Sequence, residues 1–409
     1  MAGGLMQLVA YGAQDVYLTG NPKVTFFQAV YKRHTNFAME NIEQTVNGTA
    51  AAGGRVSVTV ARNGDLIADM YVELQCAGVP IKTEDAWIAE SAVKDVELSI
   101  GGQRIDKHYQ RWWRLYAELY LDESKKQSYG KMTSATLDNS KVYLPLIFFF
   151  NRNPGLALPL IALQYHEVRI DFDLADTYTH FDSFKVWGNY IYLDTEERRR
   201  FAQKGHEYLI EQVQHTGTDA LAAAASTKQV RLSYNHPVKE LVWCTDLSSA
   251  QAGDANGIWN FTKTPVTISS NVECLTNTAN VCISPSSAGA PQLLLDSNTQ
   301  FDEDTSGPLS KFKLVLNGQD RFKEQEGKYF NSVQPFVHHS GSPMPGIYSY
   351  SFALKPEEHQ PTGTCNFSRI DNAQVSIEVS EAARNLHMFA TNYNVLRIQS
   401  GMGGLAFSN

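Results

Sequence analysis

Charge is what this sequence has least of. Only 19% of its 409 residues are Asp, Glu, Lys or Arg, against about a quarter in an average soluble domain. The balance is acidic, 43 carboxylates against 35 Lys and Arg, giving a formal charge of −8. A protein that coats nucleic acid neutralises phosphates and is basic as a rule. Genome packaging is therefore excluded as the main role, and no direct nucleic-acid partner is expected. Long apolar runs are missing too. The most apolar stretch, Val142 to Leu163, is broken by Asn151, Arg152, Asn153, Pro154, Gly155 and Pro159. Nothing approaches the roughly 18 residues of a membrane-spanning helix. The first ten residues have no basic n-region and too short an apolar run for a signal peptide, so synthesis in the cytoplasm is expected.

Cysteine is scarce and unpatterned. Cys76, Cys244, Cys274, Cys282 and Cys365 are odd in number and form no CxxC pair. That excludes a zinc ribbon and a dithiol redox motif. Buried free thiols are expected, with a Cys274–Cys282 disulfide left open. The 11 histidines contain no His-x-His, the pattern that a pair of metal-binding β-barrels would need. His338 and His339 are adjacent, and on a strand they would face opposite sides. There is no phosphate-binding GxxxxGK[ST] and no strand–GxGxxG–helix unit. No GxSxG elbow occurs either. No catalytic site, metal or cofactor is expected, and an enzyme is not indicated.

What is present is apolar and aromatic: 43% hydrophobic residues and 11% Phe, Trp and Tyr. Global disorder is ruled out, and the length allows two or three domains. Arg55–Ala61, Asp95–Ile100, His166–Leu174 and Gln374–Val379 alternate with period two. Turn residues punctuate them at Arg62-Asn-Gly-Asp and Gly101-Gly102. Regular short strands of this kind indicate an all-β sandwich or barrel. Three helices are expected. One follows Asn21-Pro22, a cap with proline at N1, and runs through Phe26, Phe27 and Val30. One carries Tyr109, Trp112, Trp113, Tyr116, Leu119 and Tyr120 at helical spacing, as core rather than as a base-stacking platform. One opens at Asp194 or Thr195, with Glu196 and Glu197 in its first turn, and ends before Gly205. Arg198-Arg199-Arg200 on this last helix reads as a solvated, ion-paired face, with a docking patch for an acidic partner as the alternative.

The chain also repeats itself. Val72-Glu-Leu-Gln-Cys76 precedes Glu97-Leu-Ser-Ile-Gly-Gly-Gln103; Glu240-Leu-Val-Trp-Cys244 precedes Lys313-Leu-Val-Leu-Asn-Gly-Gln319. A proline turn and a strand follow each, at Pro154 to Val168 and at Pro361 to Val375. Two similar β domains in tandem are expected. Cys244 and Gly318 are further apart than Cys76 and Gly102 by about 48 residues, so the second copy carries a long surface insertion. It falls within residues 245–310, which hold one Lys, no Arg or His, and seven acidic residues. The expected map is an N-terminal arm (1–24), a first β domain (25–214), a linker (215–228), a second β domain (229–397) and a Gly-rich tail (398–409).

Longer matches carry a resemblance. Met1-Ala-Gly-Gly-Leu with Gln7 to Pro22, Thr35-Asn-Phe-Ala, Gly101-Gly-Gln-Arg-Ile-Asp-Lys-His-Tyr, and Tyr143-Leu-Pro-Leu-Ile-Phe-Phe-Phe-Asn resemble the major capsid proteins of chlorella viruses. These viruses belong to the nucleocytoplasmic large DNA viruses. Pro154 to Val168, Leu316 to Phe322, Gly363 to Ala373 and Asn392 to Ile398 extend the resemblance over nearly the whole chain. It implies a double jelly roll, two eight-stranded antiparallel barrels in one chain. It implies a homotrimer that forms a pseudo-hexameric capsomer, packs against neighbouring capsomers and tiles an icosahedral shell around an internal membrane. The N-terminal arm would face minor capsid proteins or that membrane, and the protein would reside in the virion after synthesis in host cytoplasm. Covalent glycans are implied as well, often outside the usual sequon. Asn260, Asn271, Asn277, Asn280 and Asn298 in the insertion are the candidates by exposure. The sequon at Asn366 lies in a stretch that reads as structural, and a further sequon stands at Asn47. The alternative is a jelly-roll carbohydrate-binding or host-attachment protein, for which Trp259 is the one attractive aromatic.

Overall fold

A computed structural model of the chain describes residues 3–76, 87–135, 140–176, 178–222, 226–247, 261, 275–276, 282–283, 307–380 and 383–407. Residues 1–36 form one unit and residues 37–409 a second. Among the described residues, sixteen strands carry the two barrels of the larger unit, and shorter ones such as Val46–Asn47, which pairs with β2, extend their sheets. The first eight are β1 (Phe37–Gln44), β2 (Arg55–Thr59), β3 (Leu66–Cys76), β4 (Val93–Ile100), β5 (Gln103–Tyr109), β6 (Lys141–Pro145), β7 (Val168–Leu174) and β8 (Phe181–Leu193). The next eight are β9 (His206–Leu221), β10 (Lys228–Arg231), β11 (Pro237–Leu247), β12 (Leu309–Leu316), β13 (Gln319–Asp320), β14 (Ile347–Ser351), β15 (Ala373–Val379) and β16 (Arg384–Gln399).

Their pairing is the same twice. In the first barrel one sheet runs β1–β8–β3–β6 and the other β2–β7–β4–β5. In the second barrel the orders are β9–β16–β11–β14 and β10–β15–β12–β13. Each strand of the second barrel thus takes the place of the strand eight earlier, and all these pairs are antiparallel. This is the expected double jelly roll. Even the turns agree. Gly101 and Gly102 between β4 and β5 have φ of 58° and 82°; Asn317 and Gly318 between β12 and β13 have 49° and 79°. Two successive positive φ values make the hairpin turn whose twist matches that of the strands, and Asn-Gly or Gly-Gly supplies them cheaply. The repeated Gly-Gln landmark is that turn.

The cysteine landmark is less deep. Cys76 and Cys244 both lie on the third strand of their barrel. Cys76 sits with Val72 and Leu74 inside the first barrel. Cys244 and Val242 point away from Leu241 and Trp243, which fill the second barrel. A side-chain period of two turns a one-residue offset into the opposite face.

Helices α1 (Gly3–Val9) and α2 (Val16–Thr19) belong to the small unit. The helix expected after Asn21-Pro22 is absent: residues 22–25 form no regular element, and Asn21 has a φ of 52° instead of an N-cap's β-region value. Val24 and Thr25 are β-branched, and none of residues 3–36 is buried. A short helix without a packed face has little to hold it. In the larger unit, α3 (Gln110–Tyr120) and α5 (Thr195–Gln203) lie where expected, α5 with Asp194 at its N-cap. Between them, α4 (Glu123–Thr133) is capped by the Asp122 carboxylate, which accepts from Lys125 N at 2.8 Å. A further short helix, α6 (Gln334–His338), follows one π turn, Tyr329–Val333.

The segment 215–228 differs from its expected role as a linker. Residues 215–221 continue β9 along β16, and Lys228 opens β10. Ala and Thr there showed no strand pattern because the end of β9 is largely exposed and carries no apolar stripe. The chain passes between barrels at α5 instead, and one of that helix's arginines is anchored. The Arg198 guanidinium meets the Asp65 carboxylate at 3.0 Å, while Arg199 pairs with Glu196 at 3.7 Å.

Candidate assembly interfaces

The two barrels are joined by one continuous core. The cluster that fills the first barrel also contains Ile210, Val242, Cys244, Ile347, Phe389 and Leu396 from the second. The wedge between them is α3. It continues directly from β5, and its apolar residues cover more than the roughly 100° stripe of a helix with one buried face. Trp113 turns to its own barrel and donates Nε1–H to Pro145 O at 2.9 Å. Trp112 and Tyr109 turn the other way, their rings 5.6 and 6.1 Å from that of Phe389. The row packs as core, as expected, with Trp112, Trp113 and Leu119 buried and Tyr109, Tyr116 and Tyr120 partly buried against them; the core it joins lies between barrels.

Charged groups surround this seam in matched sets. Arg111 meets Asp246 at 2.5 Å, and His387 bonds the same carboxylate oxygen at 3.1 Å. Burial would push the Asp246 carboxyl up, but His387 and Arg111 hold it below its usual range. Glu211 on β9 lies between Arg152 of the first barrel, at 2.9 Å, and Lys239 of β11, at 2.7 Å. Burial opposes its charge, yet the two cations keep it ionised and below the ordinary value. Lys239 is itself lowered by burial, and its ammonium also donates to Pro356 O at 2.6 Å.

His339 is the third set. Its Nε2 bonds Glu240 and its Nδ1 bonds Glu357 at 3.1 Å, with the side chain fully buried. Two carboxylate acceptors require both ring nitrogens to carry protons. Burial works against the charge, but Glu240 and Glu357 raise the imidazolium to about 9. Tyr120 of α3 donates to the other Glu240 oxygen at 2.5 Å. Neither adjacent histidine lies on a strand: His338 is the last residue of α6, with its Nδ1 bonded to Leu354 O at 3.0 Å, and His339 is the helix's C-cap. Among the described residues no group of His, Cys, Asp and Glu is arranged to hold a metal ion.

Two close approaches lock the seam. Gly341 N donates to Leu119 O at 3.2 Å, and a Cβ there would stand 2.5–2.9 Å from the carbonyl oxygens of Glu118, Leu121 and Leu119. The chain end returns the clasp. The short strand Met402–Leu405 pairs with β16, while Leu405 N donates to Gln103 Oε1 at 3.1 Å and Tyr165 N to Gly401 O at 2.9 Å.

Among the described residues, three stretches of open apolar surface stand out. In the small unit Leu8, Val9, Tyr17, Leu18, Phe26 and Phe27 are each more than three-quarters exposed. On the second barrel Val333, Phe336, Val337 and Leu354 are exposed. On the outer face of the first barrel a groove of about 500 Å³ is lined by Tyr71, Tyr143, Trp187 and Met132 among others. The glycosylation candidates Asn260, Asn271, Asn277, Asn280 and Asn298, Trp259, and the Cys274–Cys282 pairing lie outside the described residues. Asn366 is described: its side chain accepts from Ser368 N at 3.0 Å and caps a short turn.

Residues 25–194 match the family described as major capsid protein N-terminus, and residues 197–404 match large eukaryotic DNA virus major capsid protein. The major capsid protein of Paramecium bursaria Chlorella virus 1 is 44% identical, with the whole of both chains covered. This chain belongs to the major capsid proteins of large eukaryotic DNA viruses. That of Pyramimonas orientalis virus is 42% identical, again over the whole of both chains. Among solved structures, a PBCV-1 virus capsid matches with a TM-score of 0.78 at 39% identity, covering 94% of this chain and 100% of that one. The Faustovirus major capsid protein shares the fold, with a TM-score of 0.71 at 13% identity over 97% of this chain and 96% of that one. The role of this major capsid protein is structural, as a component of the virion shell.

Proposed function

We propose that three copies of this chain close into a capsomer of six barrels, and that such capsomers tile the facets of an icosahedral outer shell. The observation that carries this is the strand-for-strand duplication. Two barrels of one topology, fused side by side, let a threefold assembly present an almost sixfold outline. Such blocks pack a plane with few gaps. The low charged fraction supports the same reading, because a subunit flanked by neighbours has little surface that must stay solvated. The exposed apolar residues of 1–36 suit a partner beneath the shell, a minor capsid protein or the internal membrane. The acidic, hydroxyl-rich insertion between β11 and β12 suits the outward side, with glycans on Asn260, Asn271, Asn277, Asn280 or Asn298.

Light scattering on the purified chain tests the capsomer. A mass near three times 45.6 kDa is expected, and a monomer that stays monomeric at micromolar concentration and under crowding contradicts it. Glycopeptide mapping of virion protein tests the sugars. Finding all five asparagines unmodified removes that part of the reading.

A further inference from the structure

The Gly-rich tail has no part in the capsomer proposed above, yet it touches both barrels. Ser400 and Gly401 have φ of 53° and 80°, the two successive positive values of a tight hairpin turn. The turn throws Met402–Leu405 back along β16, with Gly403 opposite Ile398 and Leu405 opposite Leu396. The tail also meets the first barrel. Tyr165 N donates to Gly401 O at 2.9 Å, His166 Nδ1 bonds Gly403 O at 2.8 Å, and Leu405 N donates to Gln103 Oε1 at 3.1 Å. Glycine is what allows this approach. A Cβ would stand 2.6 Å from the Tyr165 ring at Gly401, 2.7 Å from Leu163 Cδ2 at Gly403 and 3.0 Å from Gln103 Oε1 at Gly404. Gly403 is buried where Ile100 and Leu163 of the first barrel meet Ile398 of the second. The first barrel thus carries a groove shaped for main chain, and the second supplies the segment that fills it.

The first barrel ends differently. The segment after β8 is α5, which stays on its own barrel: Arg198 meets Asp65, and Phe201 packs against Leu66, Ala68 and Ala157. The segment after β16 crosses to the other barrel instead. Order along the chain matters as well. Both sheets of the first barrel are complete once β8 is made. The sheet that receives α3 is not, because β16 lies between β9 and β11. The second apolar face of α3 has no surface to dock on until residues 384–399 are in place, and residues 400–407 follow. Those residues carry no charge, and Met402, Ala406 and Phe407 are exposed. Hydrogen bonds and close packing hold them without an ion pair, so the contact can open without leaving a buried charge unmatched.

We propose that the groove of Ile100, Gln103, Leu163, Tyr165 and His166 is a peptide-binding site whose occupant is this chain's own Gly401–Leu405, and that filling it latches the two barrels together. The groove recognises an extended Gly-x-Gly-Gly-Leu segment by its main chain. Empty, it leaves two folded barrels hinged at α5; filled, it fixes the angle between them.

Hydrogen–deuterium exchange with a peptide added back tests this. A chain ending at Gln399 is compared with the full chain, with and without a synthetic peptide of residues 400–409. The truncated chain is expected to exchange at least tenfold faster across β5 and α3, with β2, β7, β12 and β15 unchanged. The peptide is expected to restore protection, and the same peptide with Gly403→Val is expected not to. Unchanged exchange in the truncated chain overturns the latch, as does rescue by both peptides or by neither. The full chain carrying Gly403→Val keeps every other tail residue and is expected to match the truncated chain; protection like that of the unaltered chain counts against the groove. Loss of protection in all four control strands, in either protein, makes the tail part of barrel folding and overturns the latch too. Native mass spectrometry of the full chain reports the oligomer, so a failed capsomer and a failed latch are told apart.

Discussion

At the scale of single residues, the seam between barrels depends on buried charges that are each doubly matched. His339 is held as an imidazolium by Glu240 and Glu357 and is raised to about 9 from an ordinary 6.5. A group protonated more tightly in the folded chain stabilises the fold fully below its unfolded value. That contribution is lost as pH rises from about 6.5 through about 9. Thermal unfolding followed across this window is expected to show a falling melting temperature, with a flatter profile for His339→Gln; equal slopes would refute the assignment. Glu211 makes a second prediction. Replacing it with Leu leaves Arg152 and Lys239 facing each other without their shared anion. Breaking a buried pair in this way costs about 3–5 kcal/mol, measurable by urea unfolding. A loss under about 1 kcal/mol would mean that water already screens the site.

At the scale of elements, α3 and the turns show what sequence reading reaches and where it stops. The aromatic row at 109–120 announced a helix and a buried one. It did not announce which body the second apolar face would meet, because periodicity reports the direction of a side chain and not the identity of its neighbour. The clue was the width of the apolar arc. The Gly-Gln landmarks were legible because a turn with two positive φ values restricts residue choice. Cys76 and Cys244 marked the order of the strands but not their facing, because a one-residue offset turns them to opposite faces of their sheets. The helix after Asn21-Pro22 was read from its capping signals and the run through Phe26, Phe27 and Val30, and neither sustains a helix without a packed face. Gly341 was not legible at all: its φ is ordinary, and only the approach of the Glu118, Leu119 and Leu121 carbonyls at the end of α3 demands a glycine. Gly341→Ala is therefore expected to destabilise by about 1–3 kcal/mol through overpacking, read by denaturant midpoint. Gly102→Ala has open space around its Cβ and is expected to cost about 1–2 kcal/mol from the left-handed conformation alone. If Gly341→Ala were neutral, the seam would be looser than its geometry implies.

At the scale of the whole molecule, the duplication was visible as three weak landmarks in the same order, and the fold repeats it strand for strand. The long resemblance supplied what composition could not, a reason for two fused barrels and a low charge. The seam's ion sets were not legible, since Arg152 and Glu211, or Arg111 and Asp246, are brought together only by the docking of separate barrels. The same logic yields a prediction for the arm. None of residues 3–36 is buried, so a chain lacking residues 2–36 is expected to melt within about 2 °C of the full chain, since losing exposed residues removes little folding free energy. A larger drop would show that the arm is part of the folded barrels. The account as a whole rests on two barrels of one topology that let three copies close into a ring of six. A cryo-EM map of the purified oligomer tests that most directly. Six barrels in a closed ring, with α3 at the junction inside each chain, is the predicted result. A map of separate chains, or one in which the copies pair by a twofold, would contradict it.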